Sequence, residues 1–277
     1  MAPEALGLAL AAACVHAVWN VLLARSPDVE RVTAAALPVG LVVFAPAAIV
    51  WWRVQGAAVP FLVGSSALEL AYFALLVEAY RRAELSLVYP LTRGLAPVLV
   101  LAASVAFLGT GASAGEVVGV VLVACGIVLV RGFRGGLRNP VELGLTVAIA
   151  CCIAGYTLVD RYGVKHANPL AYVELVLLGP AVVYPALARR RRLAVAGPRS
   201  RAGLLSAVAA GAGMVGAYAL VLAALRLASA AAVAAVRESS IVLAVGLAAL
   251  TLREPVGPRR LAGAAVVAMG VALLATT

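Results

Sequence analysis

Leu85–Leu108 reads LSLVYPLTRGLAPVLVLAASVAFL and Ser229–Leu252 reads SAAAVAAVRESSIVLAVGLAALTL, two apolar runs of 24 residues each broken at its ninth position by an arginine, Arg93 and Arg237. About 20 apolar residues suffice for a helix to cross the roughly 30 Å hydrocarbon core of a bilayer. An arginine inside such a helix costs at least about 2.5 to 3.5 kcal/mol on the insertion scale, so each needs a partner or a wet cavity. The two arginines lie 144 residues apart, and the same gapless offset brings Arg82 onto Arg226, Gly119 onto Gly263 and Gly126 onto Gly270. It also brings Val98, Leu99 and Leu108 onto Val242, Leu243 and Leu252. Coincidences among Ala, Val and Leu weigh little in so apolar a chain; the arginines and glycines weigh more.

Working outward, apolar runs separated by charged or Pro/Gly-rich breaks fall at about 5–24, 32–52, 60–80, 85–108, 115–130, 140–160, 169–188, 202–224, 229–252 and 261–276. Of 277 residues, 64% are hydrophobic and 12% charged, with a mean hydropathy of +1.06, which excludes an ordinary water-soluble domain. The first run is read as a span and not a signal peptide, because Glu4 stands where a basic segment belongs and the apolar stretch is of membrane length. Five spans per half is an odd number, so the second half enters the membrane from the opposite side. The expected fold is an all-α integral membrane protein with ten transmembrane helices, arranged as two inverted five-helix repeats around a central cavity. Residues 1–133 form the first repeat and 134–277 the second, in one transmembrane unit.

The formal net charge is +10, but the basic residues sit in connections, where they set orientation and do not call for nucleic acid. Connections after odd-numbered spans carry 16 basic residues against 4 after even-numbered ones, which places the odd connections in the cytoplasm and both termini outside. Lys165 is the only lysine, and the arginine, alanine, valine and glycine bias suggests a GC-rich bacterial source and hence a bacterial inner membrane.

Several segments resemble the EamA family of the drug/metabolite transporter superfamily, and the resemblance runs over nearly the whole chain. They are Tyr89-Pro-Leu-Thr-Arg-Gly-Leu-Ala-Pro97, Ala235-Val-Arg-Glu-Ser-Ser240, Leu252-Arg-Glu-Pro-Val-Gly-Pro-Arg-Arg-Leu-Ala-Gly263 and Met269-Gly270. His16-Ala-Val-Trp-Asn20 and Tyr156-Thr-Leu-Val-Asp160 are similar too. The resemblance implies ten helices in two inverted repeats around a cavity, and carriers that mostly export amino acids and other small metabolites. One position departs from it: the family usually has a glutamate after spans 4 and 9, and Glu254 is matched in the first half by Thr110.

Ionisable groups inside spans mark where transport chemistry is expected. Arg93 and Arg237 each stand about four residues short of a helix midpoint, roughly 5 Å from the midplane at 1.5 Å per residue, and inversion puts them on opposite sides of it. Bracketing a cavity, they would attract a substrate carboxylate or alternate as gate charges; equally, Glu69, Glu174 or Glu238 would neutralise them as structural ion pairs. Tyr89 shares a helix face with Arg93, and Glu69 with Tyr72. Trp19, Asn20, Tyr156 and Tyr218 bring amphipathic groups from both halves, suited to a cavity wall or to packing and interfacial anchoring. His16 is either a proton relay or a hydrogen-bonded structural residue; Glu69 and Glu238 are further candidates for proton coupling. Glu78 is expected to pair locally with Arg82, and Asp160 sits at a span end. Cys14, Cys125, Cys151 and Cys152 are read as small packing residues. Gly119, Gly126, Gly211, Gly213 and Gly216 would allow close helix approach, and Pro38, Pro46, Pro90, Pro97, Pro180 and Pro185 are candidate kinks.

The function expected is a secondary transporter, an exporter of a small metabolite such as an amino acid, working by alternating access. The chain has no G-x-x-x-x-G-K-[ST] loop for ATP, and no cofactor or metal is expected. Proton-coupled export of organic cations, with Glu69 as the exchanging carboxylate, is the alternative. An intramembrane enzyme is more distant, since the only histidines are His16 and His166 and H-E-x-x-H does not occur; so is a membrane scaffold. The expected partners are a small-molecule substrate and the lipid bilayer, with a monomer and a homodimer both compatible.

Overall fold

The computed structural model of the protein describes residues 1–26, 29–82, 85–131, 140–190, 200–252 and 257–277. Eleven α-helices follow in order: α1 (Pro3–Ala24), α2 (Val29–Val50), α3 (Val59–Arg82), α4 (Leu85–Leu108), α5 (Ala114–Arg131), α6 (Pro140–Gly163), α7 (Pro169–Arg190), α8 (Arg201–Leu225), α9 (Ala230–Arg237), α10 (Ser240–Leu252) and α11 (Pro258–Thr276). Eight apolar segments are long enough to cross a membrane, and the shorter Ala114–Val130 and Pro169–Val183 bring the set to ten. Sequence chemistry sets the ends. Proline opens α1, α6, α7 and α11, where its missing N–H costs nothing. The Ser200 and Ser229 hydroxyls accept from the Gly203 and Ala232 amides at 3.0 and 3.1 Å, capping α8 and α9.

The run at 229–252, read as one span, is two helices. α9 ends at Arg237, Glu238 and Ser239 form a turn, and α10 resumes at Ser240. The cause is local: the Ser239 hydroxyl donates to the Val236 carbonyl at 2.7 Å, and the backbone bonds around it tighten from four-residue to three-residue spacing. Its first-half counterpart α4 has no such turn and runs unbroken through Pro90 and Pro97, as α2 does through Pro38 and Pro46. α4 stops where Gly109 takes φ +61°, and the Thr110 hydroxyl, the offset partner of Glu254, donates to the Ser104 carbonyl at 2.9 Å. Glu254 and the 133/134 boundary lie outside the described residues.

Helix packing pairs off across the halves. α1 packs on α8 as α3 packs on α6, α2 on α8 as α3 on α7, and α1 on α9 and α10 as α4 on α6. The pairs α5–α11, α2–α7 and α4–α9 map onto themselves when the halves are exchanged. Glycines make the α5–α11 crossing: a Cβ on Gly126 would come within 2.9 Å of the Gly263 carbonyl oxygen, and one on Gly270 within 2.8 Å of that of Gly119. At the α2–α8 crossing a Cβ on Gly40 would meet the Gly211 carbonyl.

The short α9 is buried along its length from Ala230 to Val236, so the core of the molecule surrounds it. Val42, Val50, Phe107 and Leu178 point outward in the manner of lipid-facing side chains, and exposed Trp51 and Trp52 end α2, where an aromatic belt is expected. Only Cys152 of the four cysteines is buried; Cys14, Cys125 and Cys151 face outward, so three of them do not fill the core. Helical periodicity is blind to this, since a cysteine looks alike on either face of an all-apolar helix.

The connections α2–α3 and α6–α7 are tied together. Val54 and Ala167 form an antiparallel bridge, flanked by the Gln55 amide donating to His166 O at 2.9 Å and the Asn168 amide to Arg53 O at 2.7 Å. Phe61 stacks over Tyr162 and His166 beneath it, at 6.4 and 6.1 Å. On the same side, Arg161 donates to the Ala228 carbonyl and Ser229 to Glu116.

Candidate functional site

Enclosed by α1, α2, α3, α4, α6, α7, α8 and α9 is a cavity of about 270 Å³, at the small end of ligand pockets. α1 contributes His16, Trp19 and Asn20 to its wall, α3 Glu69 and Tyr72, α4 Arg93, α6 Tyr156, α8 Tyr218 and α9 Arg237. The cavity reaches Leu23, Thr33 and Leu76, close to the helix ends beside the α1–α2 and α3–α4 connections. At the opposite end lies the bridged closure just described.

Nine of the eleven expected site residues are thus brought together. Glu238 is fully buried and touches the site through the arginines. Tyr89 lies on α4, with its side chain outside the described residues. Within the wall the aromatics form two groups: His16 meets Trp19 edge-on at 4.9 Å, while Tyr72 meets Tyr156 edge-on at 6.3 Å and Tyr156 leans on Tyr218 at 6.2 Å. Asn20 spends one donor locally, on the His16 carbonyl at 2.7 Å.

The arginines converge where bracketing was expected. Arg93 Nη1 and Arg237 Nη2 both donate to Glu238 Oε1, each at 3.1 Å. A guanidinium stands several ångströms from its Cα, so arginines from two different helices both reach one carboxylate at the turn between α9 and α10. Of the three carboxylates proposed as neutralisers, Glu238 is the one used. Glu174 pairs with no described cation, and its Oε1 is buried without a hydrogen bond. Beyond the ion pair, Arg237 Nε and Trp19 Nε1 are buried donors with no acceptor among the described residues.

Sequence reading passed over Asp160, Ser65 and Tyr172. Asp160 looked like a span end, yet it is fully buried and accepts from the Tyr218 hydroxyl on Oδ2 at 2.5 Å. Ser65 and Tyr172, also fully buried, stand beside it. One signal was present: the 144-residue offset that pairs Arg93 with Arg237 also pairs His16 with Asp160, so an ionisable group occupies that place in each half.

The model of the EamA-like transporter family matches residues 142–276. The match covers just under half of the chain, and that second half is similar to the EamA-like transporter family. It carries α6 to α11, with Arg237, Glu238, Tyr156, Asp160 and Tyr218. EamA proteins are membrane transporters of the drug/metabolite superfamily, which points away from an enzyme. For the whole chain, a solved crystal structure with 18% sequence identity superposes at a TM-score of 0.80, with 98% of each chain covered, and shares the fold. A search of curated proteins gives no match.

Proposed function

We propose that this protein is a secondary transporter that exports a small carboxylate-bearing metabolite, an amino acid being the type case, by alternating access between two inverted five-helix repeats of a bacterial inner-membrane protein. The observation that carries this is a pair of orphan donors on residues that line the cavity: Arg237 Nε and Trp19 Nε1, both buried, both lacking an acceptor among the described residues, with Arg237 also in the Arg93–Glu238–Arg237 ion pair. A buried donor left without an acceptor costs about 1 to 3 kcal/mol, and a carboxylate supplies the missing acceptor. Glu69, which lines the same cavity, suits an ammonium, and the aromatic side chains suit an apolar side chain.

Access is proposed from the side of the α1–α2 and α3–α4 connections, which the basic-residue bias makes cytoplasmic, with the Val54–Ala167 bridge as the closed outer side. The turn at Glu238-Ser239 lies where discontinuous helices of transporters meet their substrates.

The test is an efflux screen in cells overexpressing the protein, followed by exchange of labelled amino acids in proteoliposomes. At least one amino acid should accumulate outside and exchange, with Arg237→Gln inactive. The same aromatics around Glu69 favour a second reading, proton-coupled export of organic cations; competition by a fluorescent cation and not by amino acids would establish that reading instead.

A further inference from the structure

Two carboxyl groups, Glu69 on α3 and Asp160 on α6, are buried in the membrane interior, and neither forms an ion pair among the described residues. Glu69 lines the cavity and Asp160 does not. Between them stands Tyr218, whose hydroxyl donates to Asp160 Oδ2 at 2.5 Å and also lies beside Glu69. On the far side of Asp160, its Oδ1, the Ser65 hydroxyl and the Tyr172 hydroxyl are all buried with no hydrogen-bond partner among the described residues. Tyr172 packs in turn against Gly163 and Phe61, next to the Val54–Ala167 closure. A chain of oxygen atoms therefore runs from the cavity toward the closed side.

From this juxtaposition we infer that Glu69, Tyr218 and Asp160 form the coupling site of the transporter, a relay that binds one proton and passes it between the cavity and the bridged side. The inference rests on the transport reading above and adds the coupling ion and its path. The step balances: the O–H bond on Glu69 breaks as the Tyr218 oxygen gains that proton, and the Tyr218 O–H donated to Asp160 breaks as an O–H bond forms on Asp160 Oδ2. Tyr218 ends as it began, and no electron changes hands. Asp160 Oδ1 then remains to accept from Ser65 or Tyr172.

A proton fits better than a metal cation. A proton needs only hydrogen-bond reach, whereas a dehydrated cation needs a cage of oxygens, and no group of three or more His, Cys, Asp or Glu gathers among the described residues. The other charged and titratable groups facing the relay are Arg93 from α4, Arg237 from α9, Tyr156 and Cys152 from α6 and Tyr72 from α3. The arginines are held by Glu238 at a fixed place, so the charge they set does not change as the proton moves.

The test uses the full chain in liposomes loaded with a pH-sensitive dye, with L-phenylalanine as the probe. Wild type should move protons opposite to phenylalanine, and an imposed pH gradient should drive phenylalanine uphill. Asp160→Asn should lose both, to background, while Tyr218→Phe should slow both. Phenylalanine counterflow shows that a variant is folded and binding. Phenylalanine flux with no proton flux in wild type, uphill flux driven by sodium instead, or proton-driven flux surviving in Asp160→Asn overturns the relay. If wild type exchanges no amino acid at all, the function reading fails separately, and an infrared pH titration of the carboxyl bands still decides the relay. There Asp160→Asn should remove one band and Tyr218→Phe should shift the titration of both carboxyls. Independent titrations indifferent to Tyr218 would refute it, and the Ser65→Ala and Tyr172→Phe variants repeat the test should Asp160→Asn fail to fold.

Discussion

Replacing Glu238 with glutamine isolates what holds the site together. The carboxylate oxygen of Glu238 accepts from two guanidinium nitrogens at 3.1 Å each, so those nitrogens stand at most roughly 6 Å apart. With the carboxylate gone, their repulsion at that separation is about 3 kcal/mol for an effective dielectric of about 20. Removing one member of a buried ion pair costs about 3 to 5 kcal/mol in measured cases. The midpoint of thermal unfolding in detergent shifts by about 2 to 4 °C per kcal/mol for chains near this size, so Glu238→Gln should lower it by roughly 10 °C. Arg237→Gln is the control, since it removes one attraction together with the repulsion and leaves Arg93 bound to Glu238; its loss should be less than half as large. Fluorescence-detected melting of the purified variants measures both. Equal losses, or a larger loss for Arg237→Gln, would refute the shared-carboxylate account.

Further expectations follow from the packing and the closure. Gly126→Ala places a methyl 2.8 Å from Val267 N and 2.9 Å from Gly263 O, and overpacking of about 1 to 3 kcal/mol exceeds the helix gain of about 0.5 to 1, so stability in the same melting assay should fall. Gly213→Ala brings a methyl 2.6 Å from Trp19 Cβ; it should weaken amino-acid exchange more than it lowers the melting temperature. Cysteines at both Val54 and Ala167 face one another across the antiparallel bridge and should form a disulfide on oxidation. Transport should stop when they are oxidised and recover on reduction if that closure must open. A reporter fused after Thr277 should read as extracytoplasmic, and a cytoplasmic reading would reverse the orientation.

Bilayer length and the 144-residue repeat made ten spans and the cavity's membership legible, because both depend on periodicity and on the high cost of placing Arg93, Arg237 and Glu69 in lipid. Periodicity does not report how far a side chain reaches, so the meeting of Arg93 and Arg237 on Glu238 was invisible, as was the choice of Glu238 over Glu174. The break at Glu238-Ser239 escaped notice because a serine hydroxyl competes with the backbone only when its rotamer allows. Asp160 was misjudged for a different reason. It is followed by Arg161, which suggests an aqueous edge, whereas Arg161 turns to the Ala228 carbonyl and Asp160 turns inward.

The central claim is that the cavity holds a carboxylate against Arg237 and Trp19. Its most direct test is ligand-induced thermal stabilisation of the purified protein by amino acids and by the same amino acids as amides. A ligand at a hundred times its Kd adds about 2.7 kcal/mol, so the account predicts a clear upward shift with at least one amino acid, none with its amide, and none with Arg237→Gln. Equal stabilisation by acid and amide, or a shift that persists in Arg237→Gln, would contradict it.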